Sequence, residues 1–263
     1  MSILNEIYEY KIDFVEKQKK LHAQSDILDI IKDLPSQNFI FSKKLKNEMS
    51  QTSIIGELKR ASPSLGNFVN KEINLSNIAK IYEKCGVSCL SILTDEKYFK
   101  GDVEDLTEIR KISNLPILRK DFIVDEYQIY ESKLVGANCI LIILAMLDQE
   151  KADKLEATAQ NIGLDSIIEI HNKEELERAV NMKSELIGIN NRNLNNFETK
   201  IETTIELSNY MGDLNKIFIS ESGFHGHGDV SKIISLTGIN NFLIGEYLMK
   251  SEQLETDIAN ILN

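Results

Sequence analysis

The chain has 263 residues, 42% of them hydrophobic, and a formal net charge of −11. That apolar content excludes a disordered chain, and the acidic balance offers no basic face for nucleic acid. The longest apolar run, nine residues from Cys139 to Leu147, falls short of the roughly 20 that a bilayer-spanning helix needs.

In chain order, the first residues carry Glu6, Glu9 and Asp13 around no apolar signal core, so no signal or transit peptide is expected. Leu4, Ile7, Tyr8, Ile12 and Val15 fall on one helix face. Two readings of that face stand open: a helix that plugs or covers the body of the protein, and a flap over its active-site mouth. From Ser53 onward, short runs rich in Ile, Leu, Val and Phe recur. They are Ser53–Lys59, Val87–Thr94, Pro116–Lys120, Cys139–Leu144, Ser166–Ile170, Leu186–Asn190, Lys216–Ser220 and Asn241–Ile244. Near-continuous apolar runs of this length are the pattern of parallel strands covered on both faces. Amphipathic stretches such as Asn74–Cys85, Asp148–Asn161 and Lys173–Met182 separate them, and Gly86, Gly136, Gly163 and Gly238 read as helix stops.

Eight strand–helix units in a chain this long predict an α/β fold, a closed (β/α)8 TIM barrel of about 250 residues. The expected layout is a single domain over 1–263, with a helical extension over 1–50 and the barrel over 51–263. A doubly wound sheet is disfavoured, because no G-x-G-x-x-G follows the first strand. Cys85, Cys89 and Cys139 lie in apolar segments and read as buried free thiols, which points to a reducing, cytoplasmic location. No second Cys or His pair with suitable spacing accompanies Cys85 and Cys89, so no metal site is expected.

Barrel enzymes work at the C-terminal ends of their strands, and charged residues sit where the apolar runs stop. Strand one ends in Glu57 and Lys59, two apart and therefore on one side of the sheet, followed by a loop containing Ser62. Strand three ends Arg119-Lys120-Asp121-Phe122, strand five Glu169-Ile170-His171, strand six Asn190-Asn191-Arg192, strand seven Glu221-Ser222-Gly223 and strand eight Gly245-Glu246. A lone Glu–Lys pair reads equally as a structural ion pair, and Arg119 as a residue directed outward at a helix. His171, His225 and His227 read as solvated loop histidines, and His22 carries no signal. Coincidence changes the weighing, since several strands place a charged or amide side chain at the same end. Ser222-Gly223 and Gly245-Glu246 follow strands seven and eight, where such barrels bind phosphate through glycine backbone, so a phosphorylated substrate is expected.

Read together, these segments resemble indole-3-glycerol phosphate synthases. The resemblance rests on Gly56-Glu57-Leu58-Lys59-Arg60-Ala61-Ser62-Pro63-Ser64, Leu90-Ser91-Ile92-Leu93-Thr94-Asp95 with Tyr98-Phe99-Lys100-Gly101, Leu118-Arg119-Lys120-Asp121-Phe122-Ile123-Val124-Asp125, Ile187-Gly188-Ile189-Asn190-Asn191-Arg192-Asn193-Leu194, Ser220-Glu221-Ser222-Gly223 and Phe242-Leu243-Ile244-Gly245. It implies ring closure, decarboxylation and dehydration of 1-(2-carboxyphenylamino)-1-deoxyribulose 5-phosphate, with no metal or organic cofactor. It further implies Lys120 as general acid, Lys59 as holder of the substrate carboxylate, and Glu57 and Glu169 as acid–base carboxylates. Asn190 would orient Lys120 and a substrate hydroxyl. Phe99, Phe122 and Leu141 would form an apolar wall, with Ser62, Arg192 and Glu221 as further substrate contacts. Ser222, Gly223, Gly245 and Glu246 would hold the phosphate. Glu246 departs from several relatives, which carry Ser there; a carboxylate repels phosphate unless its side chain turns away.

Two rivals remain. Phosphoribosylanthranilate isomerase chemistry wants a Cys/Asp pair, and strand one offers no Cys. A catalytically silent scaffold would be expected to lose Lys59, Lys120 or Glu169, and all three are present. The expected partner is a small phosphorylated molecule, with no nucleic acid or membrane, for a monomer or alternatively a homodimer.

Overall fold

A computed structural model describes residues 3–35, 38–62, 66–67, 74–193, 198–212 and 214–263, with side chains omitted at 62, 66 and 67. Pro63, Ser64 and Leu194 of the motifs above lie outside the described residues. Eight strands, β1 (Ser53–Leu58), β2 (Cys89–Leu93), β3 (Ile117–Lys120), β4 (Cys139–Ile143), β5 (Asp165–Ile170), β6 (Leu186–Asn190), β7 (Ile217–Glu221) and β8 (Asn241–Ile244), pair in parallel. They follow chain order around a closed barrel, and β8 returns to β1 in the register Ser53↔Asn241 to Gly56↔Ile244. The expected (β/α)8 barrel with its N-terminal helices is therefore the fold.

The apolar runs are continuous because alternate residues serve two cores. Ile54, Leu58, Ile92, Ile140, Ile142, Ile168, Ile187 and Phe242 face the helices. Ile55, Cys89, Leu118, Cys139, Leu141, Ile167, Leu186, Ile219 and Leu243 fill the barrel interior. Cys89 and Cys139 are buried free thiols, whereas Cys85, at a helix end, is only half-buried. Following each interior row toward the C-terminal end, aliphatic residues give way to polar ones: Ile55 to Glu57 and Lys59, Leu118 to Lys120, Ile167 to Glu169, Ile219 to Glu221. A period of two along every strand thus delivers the charged set to one mouth.

The N-terminal extension forms α1 (Ile3–Leu21), α2 (Gln24–Lys32) and α3 (Ile40–Asn47). Between and after the strands come α4 (Leu75–Lys84), α5 (Glu96–Phe99), α6 (Val103–Ile112), α7 (Glu126–Leu134), α8 (Gln149–Asn161), α9 (Lys173–Ala179), α10 (Glu202–Ser208), α11 (His227–Thr237), α12 (Glu246–Lys250) and α13 (Leu254–Leu262). Asn74, Asp95, Asp102, Asp125, Asp148 and Asn172 cap helix N-termini with side-chain oxygens. The four expected stop glycines all adopt positive φ. The third predicted helix ends at Ala179 rather than Met182.

The apolar face read from the sequence belongs to α1, while a different helix, α3, enters the barrel. On α3, Phe41 and Leu45 are fully buried against Ile55, Cys89, Cys139 and Ile217, plugging the N-terminal end of the barrel. Asp165, at the start of β5, accepts the backbone N–H groups of Phe41 and Ser42 at 3.0 and 3.1 Å, which fixes that plug. Helix α1 crosses the opposite, C-terminal mouth, where Ile3, Leu4 and Ile7 line the cavity. Among the described residues no helix is long and apolar enough to cross a membrane.

Candidate active site

The cavity at the C-terminal mouth is lined by Glu57, Lys59, Lys120, Glu169, Asn190 and Arg192, with Phe99, Phe122, Leu141 and Ser222. Nearly all of the predicted catalytic and substrate residues therefore meet in one place. Two have different positions. Glu221 lies beneath the cavity, 1% exposed, as a partner of Lys120. Ser62 stands in a two-residue ladder with Gly66, and its side chain is outside the described residues. A second cavity adjoins the first, sharing Glu57, Lys59, Arg192 and Ser222, and adds Gly223, Gly245, Glu246 and Lys250. An apolar, acid–base chamber thus opens onto a glycine-walled one.

Lys120 is the electrostatic centre. Its ammonium donates to Glu169 Oε2 at 2.9 Å and to Glu221 Oε2 at 3.1 Å. Burial opposes this cation, but Glu169 and Glu221 outweigh it and raise its pKa well above that of an ordinary lysine. Glu169, despite burial, is held far down by Lys120 and His171. Glu221 is pushed up to about 7, by burial first, with Glu169 adding repulsion against the pull of Lys120. One ammonium between two carboxyls of opposite tendency is an arrangement that can hold and move a proton near neutral pH. Gly188 of β6 makes room for it, since a Cβ there would strike the Glu221 carboxylate. Asn190 lines the same cavity as Lys120, and its Oδ1 accepts the Arg192 backbone N–H at 3.0 Å. Lys59 donates to Glu57, closing a second buried pair on the same side of β1.

The apolar wall is aromatic. Phe99 and Phe122 pack with ring centroids 6.2 Å apart, and Tyr98 meets Phe122 edge-on at 6.3 Å, a cleft fit for a planar ring. At the other end, Ser222 has φ 69°, a left-handed conformation costing about 1–3 kcal/mol in a non-glycine residue and frequent at functional sites. A Cβ on Gly245 would strike the Glu57 carboxylate, so only glycine lets backbone approach there. Glu246 is among the residues lining the glycine-walled cavity. Lys250 at 2.8 Å and Arg192 at 3.5 Å compensate its charge.

Two features escaped the sequence reading. His171 is no solvated loop residue: its side chain is 13% exposed and lies between Glu169 and Glu175, because it continues the period-two row of Ile167 and Glu169. His225 does remain exposed. Lys11, on the face shared by Ile7 and Val15, is 2% exposed and pairs with Asp95 at 2.8 Å and Asp121 at 2.6 Å. Its i, i+4 spacing with Ile7 and Val15 was the available signal. Asp121 also accepts from Thr94 at 2.7 Å and the Phe122 N–H at 2.8 Å, tying α1 to the segment after Lys120. Arg119 turns outward to Glu131 and Ser132 of α7, the bland reading of that residue.

A closed barrel with ammonium–carboxylate pairs at its C-terminal mouth, beside a glycine-walled pocket, defines a (β/α)8-barrel enzyme. The family model for indole-3-glycerol phosphate synthase matches residues 4–261. Relatives bearing that name include one from Legionella pneumophila, 42% identical over 264 residues, covering 99% of this chain and 98% of the relative. One from Neisseria meningitidis is 37% identical over 260 residues, 98% of each. A Ralstonia nicotianae protein, indole-3-glycerol phosphate synthase 2, is 42% identical over 262 residues, 99% of this chain and 97% of the relative. The chain belongs to the indole-3-glycerol phosphate synthase family, carboxy-lyases of tryptophan biosynthesis acting on a small phosphorylated substrate.

Proposed function

We propose that this one-domain enzyme works on 1-(2-carboxyphenylamino)-1-deoxyribulose 5-phosphate, with the barrel over 51–263 doing the chemistry and the extension over 1–50 covering and plugging it. The observation that carries the assignment of roles is the Lys120 ammonium suspended between Glu169 and Glu221, at the junction of an aromatic chamber and a glycine-walled one. The anthranilate ring lies against Phe99, Phe122 and Leu141, with its carboxylate on Lys59. The phosphate sits at Ser222 and the backbone of Gly223, Gly245 and Glu246, with Arg192 near.

In this pose the ring carbon bearing the carboxylate attacks the ribulose carbonyl carbon. Negative charge grows on the carbonyl oxygen, whose alkoxide is a stronger base than an amine, so proton transfer from Lys120 becomes downhill only as the bond forms. The ionised Glu169 stabilises the positive charge that develops on the anilino nitrogen. Loss of carbon dioxide restores the aromatic electron count. Departure of the former carbonyl oxygen as water, with Lys59 as acid and Glu57 and Glu169 as proton acceptors, leaves the indole. Asn190 holds a substrate hydroxyl. The aromatic cover and α1 keep water from the chamber, which strengthens each of these charge contacts.

The phosphate pocket is tested with Gly245→Val. Hydrogen bonds to a charged group contribute about 1.5–3 kcal/mol, so losing one is expected to raise KM roughly ten- to a hundredfold and to weaken competition by inorganic phosphate in parallel. Because the new side chain also strikes Glu57, kcat falls too. Unchanged KM and unchanged phosphate competition would move the phosphate elsewhere.

A further inference from the structure

Each carboxylate oxygen of Glu169 faces a different nitrogen. Its Oε2 accepts from Lys120 at 2.9 Å, while its Oε1 faces His171 Nε2 at 3.4 Å. The ring is fixed from behind. Glu175 Oε2 lies 3.1 Å from His171 Nδ1 and accepts the His171 backbone N–H at 2.8 Å. Glu175 Oε1 accepts the Asn172 amide at 2.7 Å, and Asn172 Oδ1 caps α9 by accepting the Glu175 N–H at 2.9 Å. Anchored this way, the imidazole has one direction left for Nε2, which is buried without a hydrogen-bond partner of good geometry and aimed at Glu169.

We propose that His171 is a positioning residue for catalysis: a Glu175-anchored imidazolium that clamps one oxygen of Glu169 and thereby keeps the other on Lys120. It rests on the acid–base role given to Glu169 above. A neutral ring would turn a lone pair toward one of two carboxylates, whereas the doubly protonated ring donates to both. The groups facing it are Glu169 from β5 and Glu175 from α9. Lys120 lies beyond Glu169, and Arg192, Glu198 and Lys200 from the segment after β6 line the cavity alongside. Although burial opposes the cation, Glu169 and Glu175 raise its pKa to about 9.

Replacing His171 with Gln keeps a polar side chain and removes the charge. An opposite charge within about 4–6 Å lowers a carboxyl pKa by about 1–3 units. Its loss raises the apparent pKa of the coupled Glu169/Glu221 pair, whichever carboxyl carries the proton. The acid limb of the kcat profile should then move upward by about one pH unit or more. With Glu169 loosened, kcat should fall about ten- to a hundredfold, while KM changes little. His171→Lys should recover part of kcat and return the limb toward its original position. A His171→Gln profile superimposable on the parent's, or a uniform loss that Lys does not rescue, would overturn the proposal. Should the variants fold poorly, nitrogen-15 histidine spectra of the parent protein decide: a doubly protonated ring at pH 7 is expected, and a neutral tautomer contradicts it. Glu169→Gln separates the two levels. Full activity there removes the role of Glu169 itself, whereas an inactive Glu169→Gln beside an unaffected His171→Gln removes only that of His171.

Discussion

Lys120→Met is expected to lower the turnover number at least about a hundredfold, since a positioned proton donor contributes about 10²–10⁴-fold in rate. Methionine keeps the length and apolar bulk but leaves Glu169 and Glu221, both about 1% exposed, without their shared cation. Each carboxyl then titrates higher in the folded than in the unfolded state. The resulting stability loss is small at low pH, where both are protonated, and grows as pH rises through the raised folded values. Tm of the variant should therefore lie closer to the parent's at pH 6 than at pH 8. KM should change less than kcat, because the aromatic and phosphate pockets remain. Lys120→Arg should restore charge pairing and Tm but little turnover, because guanidinium scarcely releases its proton. Near-parental turnover in well-folded Lys120→Met would shift the general-acid role to Lys59.

The second large effect concerns stability. Lys11 is almost wholly buried between Asp95 and Asp121, and Lys11→Met leaves those two aspartates facing each other. Removing one partner of a buried ion pair costs about 3–5 kcal/mol, which for a chain of this size corresponds to a fall in Tm on the order of 10 °C. Burial works against the Asp121 anion, yet Lys11 and Arg119 hold its pKa down to about 2. Its folded pKa is depressed, so its contribution is present at neutral pH and lost only as pH falls toward 2. Calorimetry at pH 7 gives the comparison; a Tm within a degree of the parent's would mean that α1 is held by its apolar face alone. Activity should fall as well, because Asp121 anchors the Phe122 N–H and α1 covers the cavity.

Much of this was legible in one dimension because a barrel strand repeats every two residues and is buried on both faces. Leu186–Asn190 and Asn241–Ile244 match their expected bounds, and the others shift by two residues or fewer at either end. Glu57, Lys59, Lys120 and Glu169 stood out because charge at the end of an apolar run is costly unless it is used. Lys11 and His171 did not, since their burial depends on partners about 85–110 positions away or on a helix cap, and local polarity reads both as solvated. The plug formed by Phe41 and Leu45 was equally invisible, because eight residues of α3 carry no mark of which end of a barrel they enter. Glu246 could be located but its electrostatic surroundings could not, since Arg192 reaches it across the mouth.

The central claim is tested most directly by mixing the purified protein with 1-(2-carboxyphenylamino)-1-deoxyribulose 5-phosphate, following indole fluorescence and released carbon dioxide together, with Lys120→Met run in parallel. Indole signal and carbon dioxide rising in equal amounts with the parent protein, and at least about a hundredfold more slowly with the variant, is the predicted result. No indole from the parent protein, or equal rates from both, would contradict it.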